Sequence, residues 1–220
     1  MLTTRSPRSV RPSVNLLGLQ ELARTMATES LKDRVDRCLR EVEARPDSSV
    51  AHYNLGLAYT QQGFMTRAEN AYRKALEIDP ELVEAWVNLG GTLLLKWDFK
   101  GSLEANQEAI RRRDDVLLAH FNLGHACLDL EDAEGWVRSN QKVIELDPGH
   151  AKGHYFLAVG LLATGRTAEA RGELSRAVAL GHQPTPEFLR GLERAEKQVG
   201  ESANLKDLAG APAPEITKED

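Results

Sequence analysis

Asn54-Leu55-Gly56, Asn88-Leu89-Gly90 and Asn122-Leu123-Gly124 decide how this chain is read. The tripeptide returns every 34 residues, and a worn fourth copy, Phe156-Leu157-Ala158, keeps the same step. A fixed period of this size marks a stacked repeat, in which each unit leaves an apolar face that only its neighbour covers. Around the first copy, His52, Leu55, Gly56 and Tyr59 share one helical segment. Gly63 marks a turn, Ala68, Tyr72 and Ala75 share a second segment, and Pro80 ends it. The small side chains of Gly56 and Ala68 allow two antiparallel helices to approach closely.

Later copies keep this register without insertion. Trp86, Leu89, Gly90, Ser102 and Ala109 form the second, His120, Leu123, Gly124, Val143 and Pro148 the third, and His154, Leu157, Ala158, Gly165, Ala170, Leu174 and Ala177 the fourth. The register breaks at four places. Trp97 and Glu131 stand at turn-glycine positions, Asp114 stands where a proline is expected, and Trp136 stands where a small residue is expected. Trp97 and Trp136 are either tolerated drift or a local binding feature.

The pattern of a bulky residue, Leu-Gly, an aromatic, a turn glycine, two alanines flanking an aromatic, and a proline resembles the tetratricopeptide repeat family. The resemblance covers residues 49–182 closely and 15–46 loosely. It implies an all-α, right-handed superhelical solenoid of antiparallel helix hairpins, with about eleven helices. Four full repeats are expected, at 49–82, 83–116, 117–150 and 151–182, in an array running from residue 15. Residues 15–46 form an atypical first hairpin. Leu16, Leu17, Leu19, Leu22 and Met26 make one apolar stripe, and Leu31, Val35, Cys38, Leu39 and Val42 another at helical spacing. After Pro184-Thr185-Pro186, the face of Phe188, Leu189, Leu192, Ala195 and Val199 reads as a capping helix within residues 183–200. A solenoid needs such a cap over its last apolar surface.

The two ends differ in charge. Residues 1–14 carry Arg5, Arg8 and Arg11 with no acid, the composition of a disordered basic arm, a transit-like peptide, or an arm that orders on a partner. Residues 201–220 hold five acids against two lysines and read as a disordered acidic tail. The whole chain has a net charge of -5, which argues against nucleic acid as a partner because phosphate contacts need a basic face. No apolar run reaches the ~20 residues of a membrane span, so no membrane insertion is expected. Cys38 and Cys127 form no CxxC pair, which fits a reducing, cytoplasmic compartment.

Sites for chemistry are scarce, and neither an enzyme activity nor a cofactor is expected. His150 and His154 lie at i, i+4, but His52, His120 and His154 share one repeat position with Trp86, so packing explains them better than a metal. Neither cysteine lies in a nucleophile motif, and no glycine-rich phosphate loop follows a strand. Arg111-Arg112-Arg113 closes a helix and is followed by Asp114-Asp115, which reads as a solvated helix end.

What remains is the inner surface, which the resemblance assigns to the first helix of each hairpin. Asn54, Asn88 and Asn122 share one position and should form a row along a concave groove. A primary amide both donates and accepts, so such a row suits the backbone of an extended peptide. It looks like the asparagine ladder in the tetratricopeptide region of O-linked N-acetylglucosamine transferases. The alternative is that asparagine here is simply common and hydrated. Tyr53, Phe121, Tyr155 and Phe156 would add apolar pockets, and Lys152 a cation. The two-carboxylate clamp of chaperone-binding relatives is absent, because Tyr53 and Leu57 replace its first lysine and asparagine, and Leu118 and Asn122 replace its last lysine and arginine. The resemblance therefore implies a non-catalytic adaptor for a protein or extended peptide, or alternatively a self-assembling homo-oligomeric scaffold.

Overall fold

The computed structural model describes residues 30–197, and these are all helix and short connection. Ten helices follow in order: α1 (Leu31–Ala44), α2 (Ser49–Gln61), α3 (Met65–Ile78), α4 (Val83–Leu95), α5 (Phe99–Arg112), α6 (Leu117–Asp129), α7 (Ala133–Leu146), α8 (Ala151–Ala163), α9 (Thr167–Ala179) and α10 (Pro186–Lys197). The expected all-α solenoid is borne out. The first helix expected in the 15–46 hairpin, the basic arm and the acidic tail lie outside the described residues.

Each helix packs on the next, and α2–α3, α4–α5, α6–α7 and α8–α9 form the tightest pairs. The inner helix α2 also touches α4, and α4 touches α6, whereas no two of the second helices share comparable contact. Close inner helices and splayed outer ones give the stack a concave side. Composition follows from this placement. Inner helices meet neighbours on several sides and are apolar nearly all round, as in Val83–Leu95. Outer helices carry one apolar stripe and a charged face, as in Met65–Ile78.

Hairpins close where the repeat pattern requires. Tyr72 is fully buried against Gly56, and a Cβ on Gly56 would lie 2.5 Å from its ring. The Tyr72 hydroxyl sits 3.0 Å from that of Thr60, and burial pushes its phenol up to about 12. Two positions equivalent to Tyr72 hold amides. Asn106 and Asn140 are buried and donate to the carbonyls of Ser102 and Trp136 one turn back, at 2.8 and 2.9 Å.

The two missing turn glycines leave the turn itself unchanged. Trp97 and Glu131 adopt φ of 64° and 61°, the left-handed region that Gly63 and Gly165 occupy at 83° and 75°. The repeat geometry overrides their own preference, at a cost of about 1–2 kcal/mol each. Trp97 remains 44% exposed and rests edge-on against Phe99. Trp136 has the opposite fate, with no exposure at all.

At the far end, Phe188 and Leu192 of α10 are buried in the core formed by α8 and α9. The Thr185 hydroxyl lies 3.1 Å from that of Tyr155 and accepts the backbone N–H of Phe188 at 3.2 Å, which fixes the start of α10.

Candidate groove on the inner helices

The inner helices place the asparagines in register but leave them in different states. Asn54 is partly exposed, and its side-chain amide makes no hydrogen bond among the described residues. Asn88 is also partly exposed, and its Nδ2 donates to the Glu84 carbonyl at 2.7 Å and the Tyr53 hydroxyl at 3.3 Å. Asn122 is only 8% exposed, and its Nδ2 points at the Val87 carbonyl at 3.4 Å. That contact ties α6 to α4, so the third member of the row lies in a helix seam while the first two stay partly exposed.

The aromatic residues divide in the same way. Tyr53 sits tilted on Tyr72 with ring centroids 6.0 Å apart, and burial followed by the charge of Glu84 raises its phenol. Phe121 and Phe156 are partly exposed and 5.8 Å apart. Tyr155 is buried between His182 and Phe188, at 4.3 and 5.3 Å. Lys152 is exposed and makes no ion pair among the described residues. One position back along each inner stripe, Val50 and Leu118 are 55% and 50% exposed, while Glu84 pairs with Arg113 at 2.9 Å.

His125, on the same inner helix as Phe121 and Asn122, joins this aromatic cluster. It lies within 4.8–5.7 Å of the rings of Phe121, Phe156 and Trp136. Burial, and secondarily the charge of Lys152, hold its imidazole down at about 4. Its place on the inner face was legible in the sequence, one turn after Phe121, but its burial against Trp136 was not.

The remaining polar groups have structural partners. His52, Trp86, His120 and His154 each aim a ring nitrogen at the carbonyl six residues upstream, at 2.8–3.0 Å. His154 also meets Glu173 at 2.7 Å, and Glu173 stands where the other repeats have Ala71, Ala105 and Ser139. His150 caps α8 by accepting the Gly153 N–H at 2.9 Å through Nδ1. Arg111 pairs with Glu108, Arg112 with Glu108 at 2.5 Å and Glu81 at 3.3 Å, and Arg113 with Glu84. Arg112 also lies 5.1 Å over the Trp86 ring. The thiol of Cys127 is buried, and burial and Asp132 push it up to about 11, away from nucleophilic use.

Family models of the tetratricopeptide repeat match residues 49–82 and 117–150. The chain carries tetratricopeptide repeats. Over 106 residues, 48% of this chain, it is 31% identical to the probable biofilm formation methyltransferase WspC of Pseudomonas aeruginosa. It spans only 25% of that relative's length. Among solved structures, MamA (residue 41 to the end) from Desulfovibrio magneticus RS-1 is similar at 21% identity and TM-score 0.67, over 74% of this chain and 93% of that one. YrrB, described as a tetratricopeptide repeat protein with an unusual peptide-binding site, is similar at 21% identity and TM-score 0.61, over 82% and 87%. Likeness at this identity establishes the tetratricopeptide fold. Among the described residues, no helix is long and apolar enough to cross a membrane.

Proposed function

We propose that this tetratricopeptide array is a non-catalytic adaptor that holds an extended protein segment along its concave groove. One observation carries the reading: Asn54 and Asn88 lie one repeat apart on adjoining inner helices, with amide oxygens unused by any neighbour among the described residues. The partly exposed Tyr53, Phe121 and Phe156 flank them on the same side. Two amides in register suit the regular N–H and C=O groups of an extended backbone. The peptide-binding description of YrrB supports the same use of a similar fold. Asn122 and the buried Tyr155 then shape the groove wall, and Phe121, Phe156 and Lys152 supply side-chain contacts. The acidic balance favours a protein over a nucleic acid as partner. The cysteines Cys38 and Cys127 are free and buried, in keeping with a reducing compartment such as the cytoplasm.

Affinity capture with mass spectrometry, run on wild type and on Asn54→Ala/Asn88→Ala, tests this reading. Each lost hydrogen bond costs about 0.5–1.5 kcal/mol, so the double variant should bind a captured partner on the order of tenfold to a hundredfold more weakly. Equal affinities with equal helicity would remove the groove as the site.

Self-assembly is the second reading. Leu31 and Leu39 on α1 are exposed at the first end of the described array, an apolar surface that a second copy would cover. Light scattering after size exclusion decides it: a dimer lost in Leu31→Glu/Leu39→Glu favours the scaffold, and a monomer at tens of micromolar removes it.

A further inference from the structure

The third and fourth repeats meet through an aromatic cluster, in which Phe121 and His125 of α6 lie 5.8 and 5.3 Å from Phe156 of α8. Trp136 backs this cluster. It stands where the other repeats have Ala68, Ser102 and Ala170, and its buried ring lies 5.7 Å from His125 of α6 and 5.1 Å from Phe156 of α8. Its indole N–H donates to the Phe156 carbonyl, and a Cβ on Gly160 would overlap its ring. The indole packs from the outer layer against both inner helices.

Phe121, His125 and Phe156 form a partly exposed aromatic patch, and the exposed Lys152 lies on the same inner helix as Phe156. Neither ring nitrogen of His125 has a hydrogen-bond partner among the described residues. Lys152 acts on His182 as well as His125, and burial with that charge depresses both imidazoles. Each therefore keeps one N–H donor and one acceptor at neutral pH.

We propose that this patch takes an aspartate or glutamate side chain adjacent to a large apolar one, presented by an extended segment of the partner. Lys152 pairs with the carboxylate, the His125 N–H donates to it, and the apolar side chain packs on Phe121 and Phe156. A basic side chain would meet the uncompensated charge of Lys152. A wholly apolar one would leave that charge and the imidazole without polar partners. The assignment rests on the groove reading above and adds what the groove selects.

Three blocked tetrapeptides, acetyl-Ser-Phe-Glu-Ser-amide and its Phe-Lys and Ala-Glu counterparts, are titrated into the full chain at pH 7. The imidazole resonances of His125 and His182 are followed by NMR. The Phe-Glu peptide is expected to shift both saturably, and at least about fivefold more tightly than either counterpart, as for one ion pair or one packed ring. Lys152→Glu alters an exposed side chain, so the thermal midpoint stays put while the preference between Phe-Glu and Phe-Lys reverses. Equal binding of all three peptides, or an unchanged preference in Lys152→Glu, overturns the proposal. A captured natural partner that binds Lys152→Glu as tightly as wild type, yet loses affinity in Asn54→Ala/Asn88→Ala, overturns this patch assignment while leaving the groove in place.

Discussion

The indole Nε1–H of Trp86 donates to the carbonyl of Pro80 at 2.8 Å. His52, His120 and His154 make the equivalent contact through Nε2, to Pro46, Asp114 and Pro148. An indole nitrogen only donates, so the shared geometry assigns the proton to Nε2 in the histidines. The contact pins each inner helix to the end of the preceding repeat. It survives at Asp114, where the proline is missing, because only the carbonyl is used. Long-range nitrogen-15 NMR should show Nε2 protonated in His52 and His120. His120→Phe keeps the ring and loses the donor, and should cost about 0.5–1.5 kcal/mol in a denaturant melt.

His125 should make stability fall in mild acid. Its imidazole is depressed from 6.5 to about 4, chiefly by burial. A depressed group stabilises the fold above its unfolded value and loses that contribution as pH falls towards the folded one. Between pH 6.5 and 4 the unfolded chain takes up a proton that the native ring refuses. By pH 5 the loss is about 2 kcal/mol. Urea melts of wild type and His125→Gln at pH 7.5 and 5 should differ in pH dependence by that amount, and parallel dependences would refute the burial argument.

Trp136→Ala removes a fully buried indole from between α6 and α8 and should cost about 3–5 kcal/mol. Gly160→Ala drives a methyl into the same ring and should cost about 1–3 kcal/mol by overpacking. Thermal midpoints within a degree of wild type for both variants would show that the buried indole does not hold this junction together.

Trp97→Gly should raise stability, by about 1 kcal/mol. The exposed side chain gives up little beyond its edge contact with Phe99, and the backbone at φ 64° is relieved. A fall in the thermal midpoint would mean that the Trp97–Phe99 contact outweighs the strain.

Gly56→Ala places a Cβ 2.5 Å from the buried Tyr72 ring, whose hydroxyl is held at Thr60. A loss of about 1–3 kcal/mol is expected in the same assay. An unchanged midpoint would place the hairpin interface elsewhere.

The sequence by itself determined the period, the helix pairs it implies and the solenoid they build, because each small residue and apolar stripe recurs at a spacing that only stacked hairpins satisfy. Asn54, Asn88 and Asn122 were legible as one register. Their exposure was not, since a repeat position fixes the face of a helix but not how close the next helix lies. Only the tertiary structure decided that Asn122 closes a seam while Asn54 and Asn88 stay partly exposed. It alone decided that Trp97 points to solvent and Trp136 to the core, two tryptophans that break the register equally in the sequence. The physical reason is local in one case and distant in the other. Trp97 occupies a turn with open space beside it. Trp136 meets His125, Phe156 and Gly160 from helices on either side, and that junction between α6 and α8 exists in no single repeat.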